Sequence, residues 1–255
     1  MAKSFMYLDA EEQYATHAYE ALKANFDGRE SFNVFFESIE AQERKNLFLR
    51  LASFYRFLVK EGHLHFSNPK WCAGMQYIDE TYKFISLFSL IEASFGNNEF
   101  IDFYQYLTKS NNSNLYPIST KTELDELHKK YKEEYGSIQN AVRFFEALDE
   151  PCKKTLSSKL KIRPVLNPKK PNEVRDWVHL SIVELAKRLY NMRSEFVHRA
   201  EFILSLNEGS DFSLKGSKVT LNALSMTDLC MFFEHGLLIQ FGHSGNLPHP
   251  KVSQS

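Results

Sequence analysis

Residues 173–204, NEVRDWVHLSIVELAKRLYNMRSEFVHRAEFI, carry the pattern that most restricts the fold. Val178, Ile182, Leu185, Leu189, Met192 and Phe196 recur at alternating spacings of four and three. On a helix that spacing draws one apolar stripe. A stripe of this length has to lie against a core, which the rest of the chain must build.

The end of the segment is unusual for a helix that only packs. At about 100° per residue, the stripe centres near Leu185 and Phe196, Arg193 lies about 60° to one side, and His198 lies about 140° beyond Arg193. Between them fall Ser194, Tyr190, Val197, Ala186 and Val183. A plain surface helix carries Lys, Glu and Gln there, whereas this one has a second semi-apolar face, as at a cleft or a partner subunit. Histidine titrates near neutral pH and can move a proton. Arginine stays charged and can hold a phosphate or stabilise charge developing on it. The two side chains diverge on an ideal helix, so convergence on one phosphate calls for two copies meeting across a two-fold axis.

The run LYNMRSEFVHRAEF resembles the Y-x-x-R-S-x-x-V-H form of the Arg-x4–6-His motif in stand-alone, Apea-like bacterial members of the HEPN superfamily. Tyr190, Arg193, Ser194, Val197 and His198 match it. YKFISLFSLIEASF (82–95) is similar to that family's first core helix, with Glu92 as its acidic residue. The resemblance covers about 75 to 245. It implies a metal-independent endoribonuclease without cofactor, of the kind found among toxins and antiviral effectors, with Arg193 and His198 from both copies of a homodimer at the site. It also implies RNA as substrate and allows an antitoxin or regulatory protein as a further partner. Tyr190, Ser194 and Glu92 would be supporting residues, with Glu92 orienting the His198 imidazole. Ser194 departs from the Asn, Asp or His that follows the Arg in many active members. That departure favours the rival reading, a HEPN-like module that binds RNA, a nucleotide or a protein without cutting. A helical interaction protein in which Arg193 and His198 are incidental is the third reading.

Taken in order, 9–26 reads as a helix capped by Asp9 and ended by Gly28. Residues 31–61 read as one long helix or two abutting ones. Residues 62–74 are a loop whose His63-x-His65 pair lacks a third ligand, so no metal site is expected. Helices follow at 75–95, 98–108, 119–135 and 137–149, with a loop at 110–117. Residues 151–171 hold Lys153, Lys154, Lys159, Lys161, Arg163, Lys169 and Lys170 without one acidic residue. Prolines at 164, 168 and 171 forbid a continuous helix across the second half. Two readings stay open for this stretch: an exposed linker, or a basic strip that grips RNA phosphates. Residues 205–221 suit a small hairpin. A last helix at 225–241 starts on Ser225 with Asp228 at capping-box spacing. His243 and His249 fall in a loose tail.

The expected fold is all-α: a bundle of about eight helices, with room for one small β-hairpin. The expected division is an N-terminal helical unit at 1–70, a HEPN-like domain at 75–245 and a flexible tail at 246–255. With 22 Phe against 10 Gly, the composition favours helices over a turn-rich β-fold. A net charge of −1 makes any RNA contact local. Cys72, Cys152 and Cys230 stand far apart and suit a reducing, cytoplasmic setting. No apolar run reaches the about 18 residues of a membrane span.

Overall fold

The computed structural model describes residues 11–65, 75–95, 102–108, 118, 120–167, 170–174, 176–199, 206, 211–215, 218–243 and 247. Ten α-helices occur among them: α1 (Glu11–Leu22), α2 (Arg29–Ser38), α3 (Gln42–Tyr55, running on into a π-helical turn Arg56–Lys60), α4 (Met75–Phe95), α5 (Phe103–Thr108), α6 (Lys121–Tyr135), α7 (Ser137–Ala147), α8 (Glu150–Lys159), α9 (Ile182–Arg199) and α10 (Met226–Gln240). Four strands also occur among the described residues, β1 (Leu160–Asn167), β2 (Lys170–Val174), β3 (Asp211–Lys215) and β4 (Lys218–Asn222). The protein is therefore a mostly helical bundle, with the expected hairpin present as β3–β4. None of the described helices is long and apolar enough to cross a membrane.

The bundle is organised around α10. Its residues Asp228, Leu229 and Phe232 to Leu238 are all buried, and a helix buried over seven consecutive residues, and so on every side, lies in the middle of the core. Ser225 starts it with the expected capping box: its hydroxyl accepts from the Asp228 N–H at 3.2 Å while Asp228 Oδ2 accepts from the Ser225 N–H at 2.9 Å. Gly236 lets Phe144 of α7 approach closely; a Cβ there would lie 2.3 Å from the ring. One continuous apolar cluster joins Phe32 and Phe48, Phe84 and Phe88, Phe144 and Phe145, and Phe232 and Phe233. The N-terminal helices thus share their core with the last helix. After α10, Gly242 takes φ +93°, the left-handed conformation that commonly ends a helix. The chain then turns back: His243 packs edge-on against Phe26 and Phe35, and Leu247 is buried. His243 is therefore packed rather than loose; His249 lies outside the described residues.

The structure corrects two expectations about the chain before α9. Residues 151–171 are not a linker. Asp149 caps α8 by accepting from the Cys152 N–H, and β1 follows at once. The hairpin β3–β4 pairs with β1–β2 in one antiparallel sheet of order β2-β1-β4-β3. Pro164 falls at a change of partner: β1 pairs with β4 as far as Pro164 and with β2 from Val165 onward. The long helix is also shorter than its stripe. Val178 bridges to Ile162, its N–H donating to the Ile162 carbonyl at 2.8 Å, so 176–180 are extended. Helix α9 starts only after Ser181, whose hydroxyl accepts from the Glu184 N–H and whose N–H donates to Glu184 Oε2 at 2.8 Å. Residues 200–204 lie outside the described residues.

Candidate functional site

Helix α9 packs on α7, α4 and α8. Leu185 and Leu189 are fully buried and Met192 nearly so, as the stripe requires. Much of the second face is also used within the chain. Ala186 is fully buried, and Val183 and Tyr190 pack against the core. Val197, at 46% exposed, remains open to solvent near the C-terminal end of α9.

Arg193 turns inward. Its Nη2 lies 3.6 Å from Glu92 Oε1 on α4, and its guanidinium carbon sits 5.8 Å from the centre of the Tyr190 ring. The pair is loose. Arg193 Nε and Glu92 Oε1 are both buried without a hydrogen-bond partner, so the pair is not fully satisfied as it stands. Burial pushes the Glu92 carboxyl up from its ordinary range, with the Arg193 charge pulling the other way. Ser194 is half-buried. His198 stands exposed in the last turn of α9. The structure therefore brings Glu92, Tyr190 and Arg193 together. The ion pair made by Glu92 is with Arg193, rather than with the His198 imidazole that it was expected to orient. Arg193 and His198 leave α9 in different directions, one toward α4 and one toward solvent.

The basic strip is divided. Lys159 Nζ donates to both oxygens of the capping residue Asp228 at 2.7 Å, and Lys153 pairs with Glu150 at 3.4 Å. Arg163 lies 4.6 Å over the Trp177 ring, with its Nε buried and unpartnered. Lys161 is half-buried on β1 and Lys154 exposed on α8. Lys170 belongs to β2, and Lys169 lies outside the described residues.

Two features were missed in the sequence. A cleft of about 280 Å³ opens between the sheet and α9, lined by Ile162, Lys187, Arg188, Asn191 and Thr220 among others. Arg188 donates to Thr220 Oγ1 at 2.9 Å, and its Nε is buried without a partner. Lys187, Asn191 and His198 fall within about 40° of one another around α9. His198 thus shares a helix face with the cleft, whereas Arg193 does not. The run of polar residues at 184, 187, 188 and 191 was the available signal.

The second feature is a buried cluster of Asp149, Cys152 and His235. His235 Nδ1 lies 3.0 Å from Asp149 Oδ2 and 3.3 Å from Cys152 Sγ. Burial, then the hydrogen bond and charge of the Asp149 carboxylate, push the Cys152 thiol well up. Burial also raises Asp149, but the Cys152 N–H and thiol and His235 outweigh it and leave this carboxyl below its ordinary range. No local spacing advertises a cluster whose third member comes from a helix 83 residues further on.

No family model matches the chain, and no match was found among curated proteins or among solved structures.

Proposed function

We propose that the chain is a HEPN-type endoribonuclease whose site is built by Arg193 and His198 of two copies. One observation carries the reading: α9 presents a half-buried guanidinium, braced by Tyr190 and paired with Glu92 only loosely at 3.6 Å, and an exposed imidazole five residues further on. His198 takes the proton from an RNA 2′-hydroxyl, and the oxygen attacks the adjacent phosphorus. The bond to the 5′-oxygen breaks, and that oxygen takes a proton from a second imidazole. Arg193 binds a non-bridging oxygen, where negative charge grows in the transition state. Tyr190 and Glu92 hold Arg193 in place, with Ser194 next to it in the chain. The divergence of Arg193 and His198 within one chain supports a homodimer, in which one copy's arginine meets the other's histidine. Such an activity suits a cytoplasmic toxin or an antiviral effector restrained by a partner protein.

The same ion pair favours a second reading, a module that binds RNA, a nucleotide or a protein without cutting. A carboxylate 3.6 Å from the arginine offsets part of the charge that a scissile phosphate would need. Incubation with total RNA, transfer RNA and single-stranded DNA in EDTA separates the two readings. The enzyme reading expects RNA fragments ending in 2′,3′-cyclic phosphates and intact DNA, because DNA lacks the attacking hydroxyl. Cleaved DNA, or 3′-hydroxyl ends on the RNA, would refute it.

A further inference from the structure

Asp149, Cys152 and His235 bring their donor atoms together. Asp149 is the N-cap of α8 and Cys152 lies in its first turn, so the start of that helix fixes the carboxylate beside the thiol. His235 reaches them from α10. The sulfur and the carboxylate oxygen lie 3.3 and 3.0 Å from the same ring nitrogen, and the three donors all fall within 4.8 Å of one another. Cys152 and His235 are buried, while the Asp149 side chain keeps 25% of its surface exposed.

The arrangement is a poor nucleophilic relay. A relay sets the nucleophile against one ring nitrogen and the carboxylate against the other, so that a proton crosses the ring. Here both groups face Nδ1. As a hydrogen-bonded cluster it leans on one carboxylate, because the His235 ring and the Cys152 thiol and N–H are all directed at Asp149. An ion at the point of convergence uses all three donors at once. Thiolate, imidazole and carboxylate are together a donor set for zinc. Tetrahedral bonds of about 2.0–2.3 Å place such donors roughly 3.3–3.6 Å apart, a few tenths of an ångström beyond the separations seen. The Asp149 side of the cluster reaches solvent, which can supply a water as fourth ligand.

We propose that Asp149, Cys152 and His235 bind one zinc-class divalent ion per chain, pinning the start of α8 to the centre of α10. Because the unfolded chain does not bring these donors together, ion binding adds to folding stability. The inference does not rest on the ribonuclease reading, since Arg193 and His198 are not ligands.

The test uses the full chain, without a polyhistidine tag, stripped of metal and titrated with Co²⁺ and Zn²⁺. One Co²⁺ per chain is expected, with thiolate-to-cobalt charge-transfer absorption in the near ultraviolet and the visible bands of a tetrahedral ion. The charge-transfer absorption should persist in a Cys72→Ser/Cys230→Ser variant and vanish in Cys152→Ser. Zn²⁺ should raise the melting temperature of wild type and displace the cobalt. The titration of wild type decides the matter even where Cys152→Ser fails to fold, and Asp149→Asn supplies a second variant with weakened uptake. A folded wild-type chain that takes up no Co²⁺, or a thiolate band that survives in Cys152→Ser, would overturn the proposal and leave a hydrogen-bonded cluster only.

Discussion

Replacing Glu234 by Ala should cost the fold more than most single substitutions. Glu234 is a buried carboxylate on α10 that accepts from Tyr55 Oη at 2.7 Å, Asn25 Nδ2 at 2.7 Å and Lys60 Nζ at 2.9 Å. Tyr55 and Asn25 are themselves buried. Lys60 reaches solvent and also donates to the Ala21 carbonyl, so it tolerates the loss. Removal of the carboxylate leaves the tyrosine hydroxyl only the weakly bonding Cys230 thiol and the Asn25 amide only a 3.3 Å contact with the Leu22 carbonyl. Each stranded buried group costs about 1–3 kcal/mol, and breaking a buried charged cluster on one side costs about 3–5 kcal/mol. We take about 3–5 kcal/mol, which for a chain of this size lowers the melting temperature by roughly 6–20 °C. Glu234→Gln keeps an oxygen for Tyr55 and should cost about 1–2 kcal/mol. Urea unfolding of wild type, Glu234→Ala, Tyr55→Phe and the double variant closes a cycle, with an expected coupling of at least about 0.5 kcal/mol. A Glu234→Ala variant within 1 kcal/mol of wild type (roughly the worth of one net hydrogen bond), with no coupling to Tyr55, would refute the reasoning. The result matters beyond stability. These bonds tie residues up to 209 positions apart and fasten the N-terminal helices to the helix that carries His235.

Gly236→Ala drives a methyl into the fully buried Phe144 ring and should destabilise by about 1–3 kcal/mol in thermal melts; a neutral result would mean that α7 and α10 are not in contact. Asp79 makes a pH prediction. Burial raises its carboxyl, but the Leu64 N–H, Lys83 and His63 outweigh that and leave it lowered. Its contribution is therefore present above the ordinary aspartate pKa, near 4, and lost as pH falls through the depressed folded value. Asp79→Asn should flatten the stability profile below about pH 4, and an unchanged acid limb would count against the Asp79 contacts. Asp228→Ala removes the carboxylate half of the α10 capping box and the Lys159 pair; a loss of about 1–3 kcal/mol in urea is expected, and a loss below about 0.5 kcal/mol would show that carboxylate to be idle.

The helices were legible because phenylalanines recur at helical spacing and because their ends carry local chemistry. The pair Ser225 and Asp228 announced α10 correctly. The same signal at Ser181 and Glu184 marks the start of α9, yet the apolar stripe running back through Val178 obscured it. Val178 is apolar because its stretch lies along the sheet, not because it continues the helix. Strand β1 was harder to see. Its sequence reads as a basic stretch with prolines, and its identity comes from pairing with β4 about 55 residues later. The candidate site divides in the same way. The residues Tyr190, Arg193 and His198 stand in one run of α9 and were found there. The partnership of Arg193 with Glu92, and the clusters around Glu234 and His235, depend on which helices meet. Glu234 and His235 look like surface residues of an ordinary helix; only the central position of α10 makes them buried.

The most direct test of the ribonuclease reading compares wild type with His198→Ala, matched for folding, on the same RNA in EDTA with product ends mapped. His198 is exposed, so the substitution should leave the fold intact. The account predicts cyclic-phosphate fragments from wild type and at least a hundredfold loss in His198→Ala, the usual scale of general acid–base catalysis. Equal cleavage by both proteins would contradict it.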